Sequence, residues 1–402
     1  METPKLRFKE FNGEWQAKPL SSCLTISNLR NQDQSFDRDD VLSVSDEYGV
    51  VNQISLLGRS YAGEDISNYK VALPRQLIYT KSPLKAKPYG IIKANHNQGI
   101  VSVLYAVYDV AELHSPSFLD YYFAPGYRTN KYLLPLVRKG AKNTLNISDS
   151  EFLLGKVAFP DDSKEQLAIT DYFDKISDII RCIEKEIESL RQVKTAAMIS
   201  MFPQKEEDAP RVRFKGFDEP WETIKARKLF KTFNERNRPD LPVLSAFQDN
   251  RGMAFREDSG YSISHDIRNE ATYKHVLPGQ FVMHLRSFQG GFAHSSVEGI
   301  TSPAYTVFGF IDEDSNYDYF WKLIFMSKAF IKRLETITYG IRDGRSISFD
   351  EFLNLSFLVP SKAEQQKIAE FFQNLDRQIE CQTQILERLK RVKAACLDQM
   401  FV

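Results

Sequence analysis

The sequence predicts an α+β protein built twice. Two domains of mixed sheet and helices, related by a pseudo-two-fold axis, are separated by two long helices pairing as an antiparallel coiled coil. Three observations carry this. Residues 165–202 and 364–401 are one element repeated at an offset of 199, with Gln166/Gln365, Ile169/Ile368, Phe173/Phe372, Lys194/Lys393, Met201/Met400 and Phe202/Phe401 in one ungapped register. The first copy spaces Ile169, Phe173, Ile176, Ile180, Ile183, Ile187 and Leu190 in alternating steps of four and three, the narrow seam of a coiled coil. The segments ahead of both copies also repeat, as short apolar runs broken by turn residues, which read as strands. Two helices related by a two-fold axis perpendicular to them run antiparallel.

Taken in order, the chain opens with Arg7-Phe8-Lys9 and closes that segment at Trp15; the same pattern returns from Arg213 to Trp221. Tyr69-Lys70-x-x-Leu73-Pro74-x-Gln76 matches Tyr273-Lys274-x-x-Leu277-Pro278-x-Gln280, and Gly99-Ile100-x-Ser102-x-x-Tyr105 matches Gly299-Ile300-x-Ser302-x-x-Tyr305. Asp120-Tyr121 answers Asp318-Tyr319, and Ile147-Ser148-x-x-Glu151-Phe152 answers Ile347-Ser348-x-x-Glu351-Phe352. Pro160 and Pro360 end a short strand before each helix. The helices open at Asp162-x-x-Glu165 and Ser361-x-x-Glu364, a capping-box pattern. At ~1.5 Å per residue each would span about 57 Å. The predicted division is 1–160, a first domain; 161–204, a first spacer helix; 205–360, a second domain; and 361–402, a second spacer helix. Lys205–Pro210 is polar and reads as the link. Ser82–Gln98 does not resemble Ser287–Glu298, so a shared framework carries divergent inserts.

At 402 residues and 42% hydrophobic content the chain suits two or three globular domains. It has no run of 18 apolar residues, and its charged N-terminus has no signal core. Cys23, Cys182, Cys381 and Cys396 make no C-x-x-C or zinc spacing and read as reduced thiols, which points to the cytoplasm. Net charge is zero, yet its distribution is uneven. Ile66–Tyr108 and Tyr121–Ser148 contain no acid and many lysines and arginines, while acids gather at Asp33–Glu47 and Asp161–Asp174. That segregation suggests a face for a polyanion and another for protein. No dinucleotide fingerprint, phosphate loop or Asn-Pro-Pro-aromatic motif is present. Of the six histidines, His275, His284 and His294 share an acid-free stretch and read as isolated polar or half-buried side chains. No metal or catalytic residue is assigned.

The chain resembles the DNA-specificity subunits of type I restriction–modification systems over essentially its whole length. The resemblance rests on the doubled domain-plus-helix, on the helix openings Glu165-Gln166-x-x-Ile169 and Glu364-Gln365-Gln366-x-Ile368 after Phe-Pro and Val-Pro, and on the run from Leu285 through Gly291 to Tyr305. Residues 81–97 lack the equivalent Arg-Ser-Phe-Gln-Gly-Gly run. The resemblance implies a subunit without catalysis, whose two target-recognition domains each read half of a split site on double-stranded DNA. It implies two modification subunits carrying S-adenosylmethionine, and restriction subunits using ATP and Mg, so that no cofactor belongs to this chain. Contacts to phosphates and base edges need Lys, Arg and small polar groups. Lys81, Lys85, Lys87, Lys142 and Asn143 are the expected DNA-binding residues of the first domain, and Arg286, Ser287, Gln289, Arg342 and Arg345 those of the second. The competing readings are a stand-alone DNA modification enzyme and a two-domain protein scaffold that binds no DNA.

Overall fold

A computed structural model describes residues 3–81, 83–139, 145–204, 207–247, 251–259, 267–284, 287, 291–334, 338–339 and 346–402. The chain packs as two compact units, Met1–Lys185 with Thr383–Val402, and Glu186–Gln382, so both long helices are divided between them.

In the first unit, β1 (Trp15–Pro19), β2 (Leu24–Ile26), β3 (Leu42–Ser45) and β4 (Gly49–Asn52) lead to α1 (Gln53–Leu57). Next come β5 (Lys70–Ala72), β6 (Gln76–Thr80), β7 (Ile91–Ala94), β8 (Gly99–Val101) and β9 (Tyr105–Val110), then α2 (Pro116–Phe123) and α3 (Gly126–Leu133). The short β10 (Arg138–Lys139) and β11 (Leu145–Asn146), α4 (Asp149–Phe152) and β12 (Lys156–Pro160) precede α5 (Ser163–Ser200). Strands β2-β9-β6-β7 form one antiparallel sheet, while β1 pairs with β12, β3 with β4 and β5 with β8. Strand alternation sorts the side chains of the sheet. Leu77, Tyr79, Ala106 and Tyr108 face one core with Phe118 and Phe123 of α2, and Ile78 and Val107 face another with Leu42 and Val50. The rings of Tyr79 and Tyr108 each stack on Phe152, at 4.9 and 4.8 Å. Ser115 caps α2 and Pro116 occupies its first turn, where no amide hydrogen is missed.

The second unit repeats this order as β13 (Glu222–Lys225), α6 (Ala226–Leu229), β14 (Phe230–Phe233), β15 (Leu244–Phe247), β16 (Gly252–Phe255), β17 (Lys274–Val276), β18 (Phe281–Met283), β19 (Ala293–His294), β20 (Gly299–Thr301) and β21 (Thr306–Phe310). Then follow α7 (Asp318–Phe325), α8 (Lys328–Leu334), β22 (Thr338–Tyr339), β23 (Ser346–Ile347), α9 (Phe349–Phe352), β24 (Ser356–Val359) and α10 (Lys362–Gln399). Its sheet is β14-β21-β18-β19, and β13/β24, β15/β16 and β17/β20 are its pairs, the same topology strand for strand. The repeated glycine before each Ile has a steric reason. A Cβ on Gly99 would sit 2.4 Å from the Asp40 carbonyl, and one on Gly299 2.6 Å from that of Pro242.

The helix openings differ from a capping box. Asp162 does cap α5, accepting from the Lys164 amide at 2.8 Å. Glu165, however, does not turn back to the cap. Its carboxylate takes Arg7 in a two-pronged pair at 2.6 and 2.7 Å, with the Trp15 indole at 3.4 Å. Glu364 does the same with Arg213, at 2.8 and 2.7 Å, and with Trp221 at 3.1 Å. Both glutamates are buried, at 1% and 2% exposure, so a fixed planar partner replaces water. This is why the Arg…Trp segment repeats ahead of each domain.

Within each unit the two long helices pair antiparallel. In the first, Tyr172 meets Cys396, Ser177 meets Lys393 and Glu184 meets Lys390, so numbers fall on one helix as they rise on the other. In the second, Lys194 meets Asp376. The seam residues Ile169, Phe173, Ile176, Ile187, Ile368, Phe372, Leu375 and Leu386 are buried, and Ile180, Ile183 and Leu190 half-buried. Among the described residues no helix is long and apolar enough to cross a membrane.

Candidate nucleic-acid interface

Of the lysines expected to meet DNA, Lys81, Lys85 and Lys87 lie on the β6–β7 connection of the first unit, and the fold commits Lys81 and Lys87 to carboxylates from elsewhere. Half-buried Lys81 is 3.3 Å from one oxygen of Asp149, whose other oxygen binds Lys70 at 2.9 Å. Lys87 is 2% exposed, with its amine 2.5 Å from Asp46 in the β3–β4 turn. Lys93 lies 3.2 Å from Asp120 and 3.8 Å from Asp46. Burial pulls the Lys93 amine down, but the two carboxylates outweigh it and hold it above its ordinary value. Arg128 is buried: it donates to the Tyr122 and Leu397 carbonyls at 3.0 Å and stands 5.4 Å from the Phe401 ring. Lys85 and Lys131 are exposed. The acid-free stretches are therefore not acid-free in space, which corrects the expectation of a single basic face built from them.

In the second unit, Ser287 is fully buried. Its hydroxyl accepts from the His284 amide at 2.9 Å, and its carbonyl accepts from the Gly291 amide at 2.8 Å. It thus ties together the two ends of its own connection. Lys142, Asn143, Arg286, Gln289, Arg342 and Arg345 lie outside the described residues. Two arginine–aromatic pairs escaped the sequence reading: Arg59 over Tyr61 at 4.6 Å and Arg251 over Phe247 at 3.8 Å. Each is close in sequence, but a local Arg–aromatic spacing is too common to have singled them out.

The histidines are partnered rather than isolated. His275 is buried with one ring nitrogen 3.0 Å from Glu235 and the other 2.9 Å from Glu298. His294 lies 2.6 Å from Asp318. Burial raises the Asp318 carboxyl, yet the bond and charge of His294 and backbone amides bring it below the ordinary carboxylate value. Among the described residues, no cluster of three or more His, Cys, Asp or Glu is placed to hold a metal ion.

A domain present twice, strand for strand, with paired long helices and unlike polar inserts, defines a class of two-module proteins in which one scaffold carries two different surfaces. Residues 222–391 match the family described as "Type I restriction modification DNA specificity domain". The first unit repeats, strand for strand, the topology of the second, which that match covers. Among solved structures it is similar to a type I restriction–modification S subunit from M. genitalium, at 12% identity over 100% of this chain and 99% of that one, with a TM-score of 0.59. A chain from a study of complex assembly and conformational transition of the type I R-M system is 14% identical over 98% and 99%, with a TM-score of 0.50. These likenesses concern the fold. No curated protein sequence matches the chain.

Proposed function

We propose that this chain reads a bipartite target on double-stranded DNA, one half-site per recognition domain, and directs the other subunits of its complex there without catalysis of its own. The observation that supports this is the strand-for-strand repeat of one scaffold with different polar inserts at equivalent places: His294–Asp318 in the second unit stands where Lys93 and Ala94 meet Asp120 in the first. In this reading residues 1–160 and 205–360 read DNA. The helices at 161–204 and 361–402 set the gap between half-sites and carry two methyltransferase subunits. S-adenosylmethionine, ATP and Mg belong to partner subunits, and the complex works in the cytoplasm. Exposed Lys85 neutralises phosphate, while Lys142, Asn143, Arg286, Gln289, Arg342 and Arg345 contact DNA. Lys81, Lys87 and Ser287 shape the surface instead.

Methylation mapping tests the reading. The chain with its methyltransferase subunits should modify adenines flanking two fixed half-sites across a constant gap. Methylation at one contiguous site would overturn it, as would methyl transfer by the chain alone or equal affinity for every duplex.

A further inference from the structure

We infer that Lys393 is an acyl-acceptor site, an amine on the helix pair of the first unit that small acyl phosphates modify. The inference comes from comparing the two repeated lysines. In the second unit, Lys194 is ion-paired with Asp376, which also accepts the Tyr319 hydroxyl at 2.6 Å. At the offset of 199 the first unit has Lys393, but Ser177 replaces the aspartate. The Lys393 amine donates to the Ser177 hydroxyl at 2.7 Å and stands 5.7 Å from the ring of Tyr121, the counterpart of Tyr319. Among the described residues no carboxylate forms an ion pair with it. The nearby Asp174 accepts the Tyr121 hydroxyl at 2.6 Å, and Asp120 pairs with Lys93.

The surroundings suit a nucleophile. The side chain is half-buried, so it loses water without being sealed off. Lys93 and Arg181 add positive charge nearby, against Asp120 and Asp174. Burial, then the Lys93 charge, hold the amine below the ordinary lysine value. The free amine's lone pair attacks the carbonyl carbon of an acyl phosphate. The C–N bond forms and the C–O bond to phosphate breaks. Inorganic phosphate leaves with that electron pair, and the amine's proton goes to solvent. The product is a neutral amide, so a positive charge is lost from between the helices.

The test treats the full-length chain with limiting acetyl phosphate near neutral pH and follows both lysines by peptide mass spectrometry. Lys393 should gain acetyl faster than Lys194 by roughly threefold or more, because a desolvated amine beside another cation is more often free to attack than one held by a carboxylate. Ser177→Asp restores the carboxylate that the second unit has, and should bring Lys393 down to the rate of Lys194. Ser177→Ala should leave Lys393 fast. Equal or slower labelling of Lys393 would overturn the inference, as would a Ser177→Asp protein, folded by circular dichroism, in which Lys393 labels as before.

Discussion

The two units share their strand order and differ in how they satisfy the same polar positions. The β5 strand of the first unit places apolar Val71 against the backbone of Leu29, whereas β17 places His275 against that of Glu235, with Glu298 where the first unit has Gln98. The helix pair has Lys393 on Ser177 in one unit and Lys194 on Asp376 in the other. What stays constant is the set of contacts that close backbone against backbone and helix against sheet. A repeat can therefore exchange polar partners freely where a single side chain answers them, and hardly at all where two chain segments touch.

The largest effect should come from the constant part. Glu364→Ala removes the carboxylate shared by Arg213 and the Trp221 indole, leaving the guanidinium only the Glu219 carbonyl, and should cost about 3 kcal/mol, since breaking a buried pair is worse than lacking one. Glu165→Ala should cost the same in the first unit. Urea unfolding with tryptophan fluorescence measures both, and unequal losses would break the equivalence of the clamps.

Glycine positions sharpen the comparison next. Gly291 has φ of +80° and a Cβ there would stand 2.0 Å from the Phe325 carbonyl; Gly49 has φ of +75° with nothing within 4 Å. Gly291→Ala should lose about 2–3 kcal/mol and Gly49→Ala about 1 kcal/mol, the cost of the backbone conformation alone. Thermal melts of both variants check this ordering.

A pH effect separates the units further. Asp318 titrates below its ordinary value of 3.8 in the folded chain, so the unfolded chain binds its proton first. Its contribution is therefore complete above that value and is lost as pH falls through the lower, folded one. Asp318→Asn should flatten the acid-side fall in stability, read by melts stepped downward from pH 5. An unchanged acid slope would remove Asp318 as its source.

The smallest effects divide two lysines that sit close together in sequence. Lys87→Met should loosen the first unit by about 1–2 kcal/mol, leaving Asp46 only the more distant Lys93 amine. Lys85→Ala should leave stability unchanged and lower the salt dependence of DNA binding by about 0.9 in log–log slope, the share of one phosphate. Titrations at several salt concentrations decide it, and an unchanged slope would place Lys85 away from DNA.

The doubled architecture was legible because its signals are local. A four-three spacing specifies a seam on one helix, and Asp162 and Ser361 mark where helices begin. Short runs such as Gln76–Thr80 alternate toward two cores, and a shared register at an offset of 199 needs no coordinates. The role of Glu165 was misread for the same reason. Its spacing from Asp162 suits a capping box, while its partners Arg7 and Trp15 lie about 150 residues away.

Charge is the property that only the tertiary structure decided. Ile66–Tyr108 has no acid of its own, yet Lys70, Lys81, Lys87 and Lys93 each meet a carboxylate supplied by Asp46, Asp120 or Asp149. The sequence by itself determined the repeat, the seam and the strands, because periodicity acts over a few residues of one chain. Which lysines remain free for a polyanion depends on distances of a few ångströms between segments far apart in sequence. Coulomb attraction follows distance in space, so it took the folded chain to separate exposed Lys85 from buried Lys87.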